Sequence, residues 1–131
     1  MDPTLRDTFD RHLEVVLEHL PPAVTKLLQE VPLMAEDYPS QEVMESTGTV
    51  FRDNLCGLYT GVPLSDRSIM QSGIMSDVIT IYREGILRAS AAPDGSVPID
   101  NLREEIRITI LHELGHHFGM DEDELTELGY G

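Results

Sequence analysis

The sequence predicts a small α+β fold, in which a short mixed sheet packs on N-terminal helices and on one long helix near the C-terminus. Three observations predict it. Apolar residues near the N-terminus recur at three- and four-residue spacing, residues 78–82 (VITIY) are β-branched or aromatic throughout, and a four-residue apolar period runs from about residue 102 to residue 118. Short strands interspersed with helices bury their apolar faces against one another in a layered α+β arrangement. At 131 residues, with no repeat, low-complexity tract or linker, residues 1–131 read as a single domain.

In chain order, Leu5, Phe9, Leu13, Val16, Leu17 and Leu20 mark an amphipathic first helix. Asp2 and Pro3 suit its cap and first turn, and Pro21-Pro22 ends it. A second short helix is expected from Pro22 to about residue 30, and a strand over 31–35 closed by the turn residues Tyr38-Pro39-Ser40. Residues 40–47 read as a helical turn before Gly48, and 55–64 as a strand followed by a loop. The strand at 78–82 is the clearest in the chain. Residues 84–91 then read as helical, and Pro93-Asp-Gly-Ser96 as a turn. The last long helix starts near Pro98 with Asp100 as the expected N-cap. Its core stripe is Leu102, Ile106, Ile110, Leu114 and Phe118, and Gly119 ends it.

Composition narrows the function classes. Nine Lys and Arg against 24 Asp and Glu give a formal net charge of -15, with the basic residues scattered along the chain. Such a surface repels phosphate backbones, so no nucleic-acid partner is expected. No apolar run approaches the ~20 residues of a membrane span, and the first residues, MDPTLRDTFD, lack the basic and apolar regions of a signal peptide. A cytoplasmic protein without a membrane partner is the expectation. The lone Cys56 lies in an apolar run and reads as an inert, buried thiol. His12 and His19 read as surface residues of the first helix.

The chemistry is concentrated in the last helix. His112-Glu113-Leu-Gly-His116 matches H-E-x-x-H. Residues four apart lie one above the other on a helix, so two imidazoles can converge on one cation. Nitrogen donors of this kind suit Zn²⁺, whose catalytic sites usually take three protein ligands and keep one position open. Glu113, beside the first histidine, can take the proton of an attacking water and deliver it to a leaving amine. The two histidines flank the apolar stripe, so they can face a cleft while the helix stays anchored. His117 points about 100° from His116 and should not bind the same ion; a place at the edge of the core suits it better.

The third ligand is either a residue of the acidic cluster that follows or not supplied by the protein. Gly119 allows the chain to double back directly after the helix, and the tenth residue after His112 is Glu122. Asp121 and Asp123 compete with it, but Asp121-x-x-Glu124 also resembles a capping box for a final turn over 124–128. If Asp121 caps that turn, Glu122 is the better ligand candidate.

With HELGHHFG at 112–119, LTELGYG at 125–131, GLYTGVPL at 57–64, VITIYRE at 78–84 and REEIRITI leading into the motif, the chain resembles the minimal zincins. These are small bacterial proteins classed as zinc metallopeptidases, of the pattern H-E-x-x-H-x-x-G-x-x-D. The resemblance covers about residues 55–131 and implies a zincin-like fold. It also implies His112 and His116 as metal ligands, Glu113 as catalytic base and a peptide or protein substrate. At the third ligand this chain departs from the pattern, having Glu122 where the family has Asp, a reach longer by roughly one C–C bond. In zincins an edge strand beside the active-site helix pairs with extended substrate, a role that the resemblance suggests for 78–82. Tyr130 reads as packing on the helix. Two other classes compete with the peptidase: a non-catalytic metal-binding or protein-interaction module, and a metal-dependent ribonuclease. The ribonuclease is disfavoured by Glu122 in place of a histidine and by the missing basic cleft.

Overall fold

The computed structural model describes residues 1–61, 77–121, 123 and 124. Helix α1 (Pro3–Glu18) begins on Asp2, whose side chain accepts from the Thr4 amide, with a proline in the first turn. Helix α2 (Pro22–Leu28) follows directly. Strand β1 (Leu33–Glu36) leads to α3 (Gln41–Thr47), capped by the Ser40 hydroxyl on the Val43 amide and ended by Gly48 at φ 71°. A 3-10 turn at Arg52–Asn54, not expected from the sequence, precedes strand β2 (Gly57–Thr60). Strand β3 (Val78–Tyr82) runs without a break into α4 (Arg83–Ser90). The long helix α5 (Ile99–Phe118) completes the described fold and ends on Gly119 at φ 67°, a left-handed conformation that costs glycine little.

The α+β expectation holds: among the described residues five helices surround a three-stranded mixed sheet. Its order is β1-β3-β2, with β1 parallel and β2 antiparallel to β3. Strand β3 is therefore central, which corrects its suggested role as the substrate-pairing edge. Along it Ile79 and Ile81 are buried on one face, while Val78 and Thr80 are half-buried on the other. Asp100 is not the N-cap of α5; Pro98 occupies that position, and Asp100 lies inside the first turn where the helix dipole still favours it.

The core joins α1, the sheet and α5. Phe9, Val16, Leu20, Val24 and Val31 come from the N-terminal part, Ile79, Ile81 and Ile86 from β3 and α4, and Leu102, Ile106, Ile110, Leu111 and Leu114 from α5. Burying an aliphatic side chain of this kind contributes about 1.5–3 kcal/mol, so α5 is held firmly along its stripe. No described helix is long and apolar enough to cross a membrane.

Candidate metal centre

Helix α5 divides its faces by period. Leu102, Ile106, Ile110 and Leu114 point into the core; Thr109, Glu113 and His117, again four apart, are also buried; His112 and His116 are exposed beside them. The Thr109–Glu113–His117 stripe faces β2. A Cβ placed on Gly57 would lie 2.7 Å from Thr109 Cγ2 and 3.2 Å from Glu113 Cγ, so only glycine lets the strand come this near. Two residues on, the Tyr59 ring meets His117 edge-on at 5.5 Å between centroids. Two residues of strand and one helical turn each advance by about 6 Å, so Gly57 stands against Thr109 and Glu113 while Tyr59 stands against His117. Strand and helix run side by side.

The sheet register shows which main-chain groups β2 turns outward. The Tyr82 amide donates to the Cys56 carbonyl, and Gly57 is aligned with Ile81. In an antiparallel ladder this puts Cys56, Leu58 and Thr60 in the pairs that exchange hydrogen bonds with β3, and aims the amides of Gly57 and Tyr59 away from it. The main-chain amide of Tyr59 in turn donates toward the Glu113 carboxylate.

The expected pair of histidines and the glutamate come together. One donor atom from each of His112, Glu113 and His116 lies within 4.8 Å of the others. Glu113 Oε1 is 3.3 Å from His116 Nδ1, with the Glu113 side chain 7% exposed and that of His116 53%. The two imidazoles meet edge-on at 4.6 Å between centroids. Burial pushes the Glu113 carboxyl above its ordinary value, opposed by His116, His112 and the Tyr59 amide. Two accessible imidazoles on one helical face and a sheltered carboxylate between them form a donor set that fits a divalent cation of zinc type.

The remaining candidates separate. Asp121 and Glu124 form the reciprocal capping box, with the Glu124 amide donating to Asp121 Oδ1 at 2.8 Å and the Asp121 amide reaching Glu124 Oε1 at 3.5 Å. One Asp121 carboxylate oxygen is thus engaged by the backbone, the condition under which Glu122 was the better candidate. Glu122 itself, the final turn over 125–128, Tyr130 and residues 62–64 lie outside the described residues. Asp123 is exposed. His12 accepts from Arg103 Nε at 3.2 Å near the start of α5, nine residues before His112, or about 14 Å along the axis. His19 bonds its own helix at the Val15 carbonyl. Cys56 is half-buried and its thiol is pushed up by burial, in keeping with an inert role.

His117 is buried, and its Nδ1 lies 2.9 Å from Asp77 Oδ2 and 3.4 Å from the Tyr59 hydroxyl. Asp77 and Tyr59 carry no metal-ligand spacing, and sequence reasoning gave neither a role. The available signal was weak: a carboxylate directly before a β-branched and aromatic strand, and a tyrosine in a glycine-flanked one.

Comparison with known proteins agrees with this geometry. A family model described as zincin-like metallopeptidase matches residues 28–131. No curated protein matches the chain.

Proposed function

We propose, from the premise that this chain belongs to the zincin-like metallopeptidase family, that it is a zinc-dependent peptidase in which Glu113 is the general base. His112 and His116 would hold the zinc, with Glu122 as the acidic third donor. Bound there, zinc supplies Lewis acidity, polarising a scissile carbonyl and lowering the pKa of water.

The observation that carries the reading is the setting of Glu113. Its carboxylate is buried between two exposed imidazoles and raised above its ordinary value. A carboxyl shifted upward gives up less driving force when it accepts a proton from the attacking water, and still releases it to the leaving amine. His112 and His116, on the neighbouring exposed face, would hold the metal beside it. The Tyr59 amide acts on the carboxylate from the strand side, favouring its ionised form.

The substrate is a peptide or protein. The acidic surface makes nucleic acid an unsuitable partner. A reducing compartment suits the lone thiol of Cys56, and the cytoplasm is proposed on that ground.

The test is metal content and hydrolysis together. The purified protein should bind one zinc and cleave fluorescein-labelled casein. Glu113→Gln should keep the zinc and lose cleavage by about 10²–10⁴-fold, the usual worth of a positioned acid–base group. A folded wild-type protein that takes up zinc and cleaves nothing would leave a metal-binding module instead. One that takes up no zinc would sink both.

A further inference from the structure

We propose that Asp77, His117 and Tyr59 form a positioning clamp that holds β2 against α5 and so keeps the Tyr59 amide on the Glu113 carboxylate. The inference rests on the reading of Glu113 as general base, but its structural half stands on separate distances.

Strand β2 is short, and among the described residues its only strand neighbour is β3. Ladder bonds to β3, which packs on α5, fix where β2 lies in the sheet and its general distance from the helix, yet they leave the close approach at Tyr59 to other contacts. That distance matters because the Tyr59 amide is turned away from β3 and toward the glutamate. At Gly57 the approach is set by contact with Thr109 and Glu113. Contact alone resists only closer approach; something must also resist separation.

The clamp supplies that restraint. Asp77 directly precedes β3, and its Oδ2 holds His117 Nδ1 at 2.9 Å with both side chains 5% exposed. The same nitrogen lies 3.4 Å from the Tyr59 hydroxyl, and the two rings meet edge-on. One turn of α5 separates His117 from Glu113. Three chain segments that are remote in sequence are therefore tied at one buried point, one helical turn from the base. A hydrogen bond to a charged group in such a setting contributes more than a neutral one. None of the three residues needs to touch substrate or metal; they act through Tyr59 on Glu113.

The readout is the Tyr59 amide, followed by proton–nitrogen NMR in the full-length chain. Glu113→Gln moves this amide and calibrates its bond to the carboxylate. Tyr59→Phe, which keeps the amide and removes only the hydroxyl, should speed its hydrogen exchange several-fold. Asp77→Asn should speed it by about tenfold, a local opening and not a global one. The amides of Ile79 and Ile81 in β3 should be unchanged in both.

In the zinc-loaded protein with casein, both variants should lower kcat by about tenfold with KM and zinc stoichiometry unchanged, since displacing a reacting group by ~1 Å costs up to 10²-fold. A folded Tyr59→Phe variant with wild-type exchange at Tyr59 overturns the clamp, and so does faster exchange spread evenly over β3. Should Asp77→Asn fail to fold, Tyr59→Phe alone decides. Wild-type protein that cleaves nothing counts against the peptidase reading, while the amide measurement still judges the clamp.

Discussion

The corner around Arg83 and the group His112–Glu113–His116 both hold charge partly out of water, with opposite electrostatics. At the first, Arg83 sends Nε and Nη2 to the two oxygens of Asp10 at 2.9 and 3.2 Å, and Nη1 to Asp37 Oδ1 at 3.0 Å. Arg6 closes the set on Asp37 at 2.6 and 3.0 Å. Two guanidinium groups face two carboxylates, and every bond joins elements that must meet: α1, the end of β1 and the start of α4. The Arg6 hydrogen bond, aided by Arg83, holds the Asp37 carboxyl below its ordinary value against the cost of burial. At the second, burial wins and Glu113 is pushed up despite two histidines. A cluster that stabilises the fold matches its charges within the chain; one that does chemistry leaves its carboxylate less compensated. The contrast is the one expected between a scaffold cluster and a candidate site.

The comparison breaks most sharply on zinc. Free zinc at ~1,000 times its Kd should stabilise the wild-type protein by about 4 kcal/mol. His116→Ala should abolish that gain, and Asp37→Ala should leave it intact. Thermal denaturation with and without metal reads both. A zinc-dependent shift that survives in His116→Ala would remove the histidine pair from the site.

Next in size is the corner itself. Asp37→Ala should cost about 2 kcal/mol, the range for hydrogen bonds to charged groups, in metal-free and zinc-loaded protein alike. Because the folded carboxyl is shifted below 3.8, its contribution is present above that pH and disappears as pH falls through the folded value. The wild-type and Asp37→Ala denaturation curves should therefore converge in acid. Parallel curves down to the lowest pH would mean that Asp37 stabilises by packing instead.

A smaller effect on stability, with a larger one on function, is expected at Gly57. Gly57→Ala pushes β2 off Thr109 and Glu113, an overpacking that costs about 1 kcal/mol at the low end of such changes. Casein cleavage should fall well beyond what that loss of folded protein explains. Equal losses in both would make the close approach purely structural.

The smallest expected effect has the opposite pH sign to the corner. In metal-free protein Glu113→Gln should raise the denaturation midpoint slightly near neutrality. The folded carboxyl titrates above 4.5, so ionised Glu113 opposes folding as pH rises past that value, and the gain should fade toward acid. A Glu113→Gln variant less stable than wild type at neutral pH would show that the glutamate is compensated after all.

Much of the site was legible because it is written in one local period. The i, i+4 spacing put His112 and His116 on a single face, and the apolar stripe one step around fixed which side meets the core. Gly119 and the box between Asp121 and Glu124 were readable for the same reason, since caps depend on a few neighbouring residues. The cap of α5 was misread because Asp100 is a favoured cap type, while Pro98 turns the chain two residues earlier.

The sequence by itself determined that a long amphipathic helix would carry two histidines and a glutamate in ligand spacing, within a small α+β fold. Only tertiary structure decided that VITIY lies between the other two described strands and that GLYT stands beside the helix, because strand order depends on pairings between distant segments. It alone buried Glu113 against Gly57, and it alone brought Asp77 and Tyr59 to His117. Those neighbours lie far from the motif along the chain, and no local period connects them to it.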